Sequence, residues 1–342
     1  MPRAVIALEM MHPYPWQAES SQRLQSLRKQ LPHAILLHGR LGLGKFELAE
    51  AFVKLLLCES RNESITQACG VCPSCHWLDL GHHPDVQVLQ PGILDETGET
   101  GTEQKKSEWI NVEQVRTAIE FLHLSAHRKG LRIVLVRPAE ALNAAAANAL
   151  LKTLEEPPEH ALLLLVSHQP SRLLPTLLSR CHQMKLELPD TGAAVAWLTG
   201  QGVQAAGLCL ALAAGSPLLA AALANDDYQD SRRALLTDLS AGKSAPVLAM
   251  AERYAKSGVA EFSQLLQWLQ QWAQDLLGIK TAGRISYHRD FREPLHSLAE
   301  RVNLSLLLQW QQRLQQARRS VAHPLNLQME IEDILLEYAG LF

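Results

Sequence analysis

The stretch Ala34-Ile35-Leu36-Leu37-His38-Gly39-Arg40-Leu41-Gly42-Leu43-Gly44-Lys45-Phe46 decides the fold. Its opening is a near-continuous apolar run of strand length. That is the pattern of a strand buried on both faces of a parallel sheet, whereas a half-exposed strand would alternate. A glycine-rich turn follows, and a helix opens near Phe46. The turn fits G-x-x-x-x-G-K, in which glycines let successive N–H groups converge on phosphate oxygens and the lysine adds a point charge. Gly39, Gly44 and Lys45 are therefore candidate phosphate-binding residues. The competing reading is a glycine-rich strand-to-helix turn with no ligand. Phe46 stands where the pattern demands Ser or Thr, so the hydroxyl that ordinarily ligates Mg²⁺ is missing.

Outward from this stretch, Val86-Gln87-Val88-Leu89, Leu131 to Val136 and Leu162 to Ser167 read as further strands. Helical patterns begin near Val112 and Asn143, and the second stops at Pro157-Pro158 because proline has no N–H and clashes with the preceding turn. Strands alternating with helices predict an α/β fold with a parallel sheet and right-handed crossovers. A working phosphate-loop ATPase also needs an acid at the end of a neighbouring buried strand. The matching place, after Leu131 to Val136, carries Arg137-Pro138. Metal ligand, metal-holding acid and base are thus expected to be absent together, and the chain is expected not to hydrolyse ATP by itself. Pro91 to Glu108 lacks periodicity and reads as a mobile loop.

Cys58 is followed by Cys69-Gly70-Val71-Cys72-Pro73-Ser74-Cys75, with His76 adjacent. Four thiolates at this spacing suit tetrahedral Zn²⁺. An iron–sulfur cluster and free thiols are the alternatives, and His76 could replace one thiolate. Four protein ligands leave no open position, so the metal is expected to be structural. Cys181 and Cys209 sit in apolar, helical contexts and read as buried small hydrophobes.

The chain has 342 residues with 32 Lys+Arg against 35 Asp+Glu, a formal charge of −3, and this length suggests two or three domains. Its 47% hydrophobic and 20% charged content excludes wholesale disorder. Near-neutrality argues against non-specific nucleic-acid binding as the main task. Apolar runs such as Ala161 to Val166 are far short of the roughly 20 residues a bilayer requires. In Met1 to Glu9 an acid interrupts the apolar stretch too early for a signal peptide. A cytoplasmic location follows as an expectation. After Leu188-Pro189 apolar residues recur every three or four positions and no further buried strand is expected. Gly215-Ser216-Pro217 interrupts this region, and Asn225-Asp226-Asp227 reads as a boundary loop. Phe262, Leu265, Leu266, Leu269, Trp272, Leu276 and Leu277 make one stripe, Leu304 to Leu314 another, and Ile331 to Leu341 a third. All read as core-facing helices.

Three strings occur in order: the cysteines after the phosphate-loop helix, Asn148-Ala149-Leu150-Leu151-Lys152-Thr153-Leu154-Glu155-Glu156-Pro157-Pro158, and Ser179-Arg180-Cys181. Together they resemble the clamp-loader branch of the AAA+ family, the subunits of bacterial DNA polymerase III that open and load the sliding clamp. The resemblance runs from Tyr14-Pro15-Trp16 to Gly215-Ser216-Pro217. It implies a RecA-like α/β domain over residues 1–188 with a zinc module at about 58–75. A small helical lid would follow over 189–226, and a helical collar over 227–342. The gamma/tau motor subunits keep a Ser or Thr and an Asp-Glu pair where this chain has Phe46 and Arg137-Pro138. Their sensor arginine after the lid Gly-Ser is Leu218 here, while Ser167 matches the polar sensor position.

The resemblance further implies that Arg180, within Ser179-Arg180-Cys181, reaches the ATP site of a neighbouring subunit. The competing reading is a surface arginine in a salt bridge. The implied role is a non-hydrolysing stator in a hetero-pentamer with gamma/tau and delta subunits, meeting the sliding clamp and primer-template DNA, with no membrane. Arg128 and Lys129 are candidate DNA contacts. Because Gly39, Gly44 and Lys45 survive, ATP or ADP binding without turnover stays open. Two rival functions are an active clamp-loader ATPase with an unusual metal arrangement and a zinc-dependent nucleic-acid-binding module.

Overall fold

In the computed structural model the four apolar runs are strands, β1 (Ala34–His38), β2 (Val86–Leu89), β3 (Arg132–Val136) and β4 (Ala161–Ser167). A fifth, β5 (His182–Lys185), joins them. The structure describes residues 14–60, 66–92, 107–124, 126, 130–256, 258–320 and 326–342. Met1 to Glu9, most of the loop expected between Pro91 and Glu108, and both Arg128 and Lys129 lie outside the described residues. The chain divides into two units, Met1–Asp190 and Thr191–Phe342.

In the first unit all strand pairs are parallel, in the order β2-β3-β4-β1-β5. The accompanying helices are α1 (Ala18–Ser26), α2 (Lys45–Leu57), α3 (Pro73–Asp79), α4 (Val112–His123), α5 (Ala144–Glu155) and the single turn α6 (Pro175–Leu178). Successive residues of the central strands feed opposite cores. Ile35, Leu37, Ile133, Leu135 and Leu164 pack with Leu24 of α1 and with Leu48, Phe52 and Leu56 of α2. Leu36, Val134, Val136, Leu163 and Leu165 pack with Val115 and Leu122 of α4 and with Leu150 and Leu154 of α5. Both faces are covered, which is why β1, β3 and β4 are apolar at nearly every position.

The fifth strand carries little hydrophobic signal because it is an edge. Of His182-Gln183-Met184-Lys185 only Met184 is buried. The leucine-rich run Leu173 to Leu178 is helical only over Pro175–Leu178, since Leu173 and Leu174 are extended. Cys181 is buried as expected, but it precedes β5 and is not in a helix. Helices α4 and α5 begin where predicted. Asn111 and Asn143 cap them, each side-chain oxygen accepting an N–H of the first turn, from Gln114 (2.9 Å) and Ala146 (2.8 Å).

The second unit is helical: α7 (Thr191–Gly200), α8 (Ala206–Leu212), α9 (Pro217–Ala222), α10 (Asp226–Ser240), α11 (Val247–Ala255), α12 (Val259–Ala282), α13 (Arg292–Arg301), α14 (Leu304–Ser320) and α15 (Leu327–Ala339). The expected boundary loop at Asn225-Asp226-Asp227 is a helix start instead. The Asn225 side chain accepts from Tyr228 N at 2.8 Å, and both aspartates lie in the first turn, where the helix dipole favours acids. All three predicted stripes feed one core that holds Leu265, Leu269, Trp272, Trp310, Ile334 and Tyr338, although Leu304, Leu306 and Leu308 of the second stripe and Leu336 of the third are exposed. The Tyr338 hydroxyl donates to Leu239 O (2.6 Å) and accepts from Trp272 Nε1 (3.1 Å), so these buried aromatic tips are paired.

Candidate functional site: a covered glycine-rich loop, a four-cysteine cluster and a surface arginine

The loop between β1 and α2 holds a conformation that only glycine tolerates at its two ends. Gly39 (φ +149°) lies so close to the neighbouring chain that a Cβ would come 2.7 Å from Leu186 O. Gly44 (φ +74°) is covered by the Tyr14 ring, and a Cβ there would come 2.5 Å from it. The segment Tyr14–Gln17 is strapped over the loop. Trp16 Nε1 donates to Leu43 O (3.1 Å), and buried Gln17 donates to Leu43 O and Gly44 O, each at 2.7 Å.

Lys45 is buried and its Nζ donates back to Arg40 O within the loop, at 2.5 Å. Burial lowers its amine to about 8, and the nearby Glu140 and Glu47 carboxylates oppose that shift. Phe46 and Arg137 meet: the guanidinium carbon sits 3.6 Å from the ring centroid, a cation–π contact, while Arg137 Nε donates to Gln90 Oε1 (2.9 Å). The side chains standing where a hydroxyl and an acid were expected therefore pack on each other.

An acid from beyond the strand end lies near Lys45 and acts on its charge. Glu140, in the short turn after Arg137-Pro138, accepts from His168 N at 2.9 Å, beside the end of β4. Among the described residues, Glu140 Oε2 and His168 Nδ1 are buried and have no hydrogen-bond partner. Burial first, and then the Lys45 charge, push His168 down to about 4. Ser167 is fully buried, pairs in register with His38 at the start of the loop, and accepts from Gln169 N (3.2 Å). Glu140 is not legible at the strand end, where Arg137-Pro138 stand, because it lies four residues past the end of β3.

The four cysteines converge. The Sγ atoms of Cys58, Cys69, Cys72 and Cys75 all lie within 4.8 Å of one another, and Cys69 and Cys75 are 4.0 Å apart. A tetrahedral site with metal–sulfur bonds of about 2.3 Å has S···S edges of about 3.8 Å, so the donor set fits a metal ion. Backbone N–H groups already point at the sulfurs: Glu59 N and Cys75 N at Cys72, Cys69 N at Cys58, and Cys72 N at Cys69, at 3.3–3.5 Å. Hydrogen bonds, first from the Ser60 side chain and then from the Val71 backbone, pull the Cys69 thiol down to about 6. Burial pushes Cys75 up. His76 is exposed and outside the cluster.

Ser74, between two of these cysteines, faces buried His83 at 3.0 Å. Asp85 N donates to His83 Nδ1 (3.1 Å), so Nε2 carries the proton and gives it to the serine. A serine that accepts from histidine is not activated as a nucleophile. The contact anchors α3 to the chain entering β2.

Arg180 lies just past α6 with its side chain 32% exposed. Its Nη2 donates to Glu155 Oε1 (2.5 Å) and its Nη1 to Thr176 O (2.8 Å). Ser179 Oγ donates to the same Thr176 carbonyl (3.0 Å). Cys181 turns inward, and burial raises its thiol to about 11. Cys209, in α8, is likewise buried.

A sequence profile described as "DNA polymerase III, delta subunit" matches residues 16–190, and one described as "DNA polymerase III, delta subunit, C terminal" matches 226–339. The chain is similar to DNA polymerase III subunit delta' of Pseudomonas aeruginosa, 34% identical over 349 residues that cover 96% of this chain and 98% of that protein. It is also 34% identical to subunit delta' of Yersinia pestis over 333 residues, 94% of this chain and 93% of that one. Subunit tau of Escherichia coli is 33% identical over 162 residues, 47% of this chain and 22% of tau.

Proposed function

Because the chain belongs to the DNA polymerase III delta' family of clamp-loader subunits, we propose that it does not itself hydrolyse ATP and completes a neighbour's site with Arg180. The observation that carries this reading is the contrast between two guanidinium groups. Arg137 is spent on Phe46 inside the chain's own phosphate loop, while Arg180 stands at the surface of the same unit. The neighbour is a gamma/tau-type motor subunit, a kind of protein to which this chain is related through its tau similarity. A guanidinium supplied in trans meets the γ-phosphate with a planar fork of N–H donors and offsets charge as the bond to the leaving oxygen breaks.

In this reading residues 1–188, 189–226 and 227–342 act as nucleotide-fold domain, lid and collar of a cytoplasmic hetero-pentamer. That assembly, with delta also present, serves the sliding clamp on primer-template DNA. A subunit that performs no hydrolysis biases the cycle only through differential contacts, which makes it a stator. Cys58, Cys69, Cys72 and Cys75 would hold Zn²⁺, whose contribution when bound is to cross-link the end of α2 to α3. The N–H groups around the sulfurs offset the thiolate charge.

The test is reconstitution with motor and delta subunits carrying Arg180→Ala. Assembly should stay stoichiometric, and ATP turnover at the adjoining site should fall by on the order of 10³–10⁵, the range for fingers supplied in trans. Unchanged turnover refutes the assignment.

A further inference from the structure

Helix α5 ends on two carboxylates, Glu155 and Glu156, immediately before Pro157-Pro158. Acids are unfavourable there because the unpaired carbonyls of a helix C-terminus carry partial negative charge. A local rule broken at a rigid position points to use elsewhere. In this structure Glu155 Oε1 receives Arg180 Nη2 at 2.5 Å, while Nη1 of the same group is fixed to Thr176 O at 2.8 Å. The guanidinium is thus gripped from two directions, by a carboxylate on α5 and by the carbonyl of its own turn.

We propose that Glu155 is the positioning residue of the Arg180 finger, an inference that rests on the trans role assigned to Arg180 above. Arginine offers five N–H donors in a rigid fork, so two can be committed to anchors while others face outward. Ordering a long side chain costs rotamer entropy, and here that cost falls on folding before the neighbour's nucleotide arrives. The support is stiff: Leu150 and Leu154 bury α5 against the sheet core, and the proline pair stops the helix directly after these carboxylates. Stability is a poor explanation of the pair. Glu155 is 52% exposed and Arg180 32%, and exposed ion pairs contribute little.

The reconstituted assembly tests this with Mg·ATP and four versions of the full chain: Glu155→Ala, Glu155→Gln, Arg180→Ala and the double variant Glu155→Ala/Arg180→Ala. Glu155→Ala should lower kcat at the adjoining site by on the order of tenfold to a hundredfold, the cost of loosening a catalytic group. KM for ATP should change little, because the finger acts as charge develops. Glu155→Gln, which keeps an acceptor but no charge, should fall between. It also carries the measurement if the alanine variant does not assemble. The double variant should be no slower than Arg180→Ala alone, since Glu155 acts only through that arginine. Wild-type kcat in Glu155→Ala beside a slow Arg180→Ala overturns the positioning role and spares the finger. Additive losses in the double variant overturn it too, placing Glu155 in some other task. An Arg180→Ala assembly as fast as wild type removes the finger itself.

Discussion

Phe46 and Arg137 are two departures from a hydrolytic site that make sense only as a pair. A half-buried guanidinium needs a partner, and an aromatic face supplies one without a counter-charge. With Arg137 3.6 Å from the ring centroid, the pair should couple by about 0.5–2 kcal/mol. Urea denaturation of Phe46→Ala, Arg137→Ala and the double variant measures that term. Strictly additive losses would mean that the stack contributes nothing. Glu140 acts on the same site, beside Glu47 and against burial. Its carboxylate keeps Lys45 from losing still more of its basicity to burial.

At the scale of elements, the cysteine cluster is a clasp between the end of α2 and the start of α3. Cys58 is the C-cap of one helix and Cys72 the N-cap of the other. The Cys72 sulfur also receives N–H groups from Glu59 and Cys75, so it ties the residue after Cys58 to the first turn of α3. Cys72→Ser should therefore lower bound metal well below the content of the wild-type chain, assayed on protein purified without chelator. Trp77, edge-on to His83 at 5.9 Å, should report the loosening of α3 through its fluorescence. A full metal complement in Cys72→Ser would exclude the four-sulfur set.

Across the whole molecule, each unit buries its own neutral histidine, and both predict the same response to acid. Burial, then Arg232, pushes His288 of the second unit down to about 3, and His168 of the first is pushed to about 4. An unfolded histidine binds its proton near 6.5. Above that pH neither state is protonated and the contribution is intact. As pH falls below about 6.5 the unfolded chain takes up protons that the folded chain refuses. Stability is then lost by up to about 1.4 kcal/mol per pH unit per group until the folded pKa is reached. Denaturation of the full chain at pH 7 and pH 5 should show this slope. His288→Gln should flatten it, and an equally steep slope in that variant would assign the loss to other groups.

The central strands, the starts of α2, α4 and α5, the three buried stripes of the second unit and the four-cysteine spacing were all legible in the residues. Each depends on a periodicity or a cap that acts over a few positions. The edge strand β5 was not legible, because a strand with one inward side chain carries almost no hydrophobic pattern. Asn225 with its two aspartates looked like a loop because capping residues and loop residues are the same polar types. The sequence alone determined that Phe46 and Arg137 stand where a hydroxyl and an acid were expected, and which sulfurs belong together. Only the tertiary structure decided that Phe46 faces Arg137, that Glu140 enters beside Lys45, and that Glu155 holds Arg180. Those pairs lie 25 to 95 positions apart in the chain. Local propensity cannot join residues so separated; packing both faces of one sheet does.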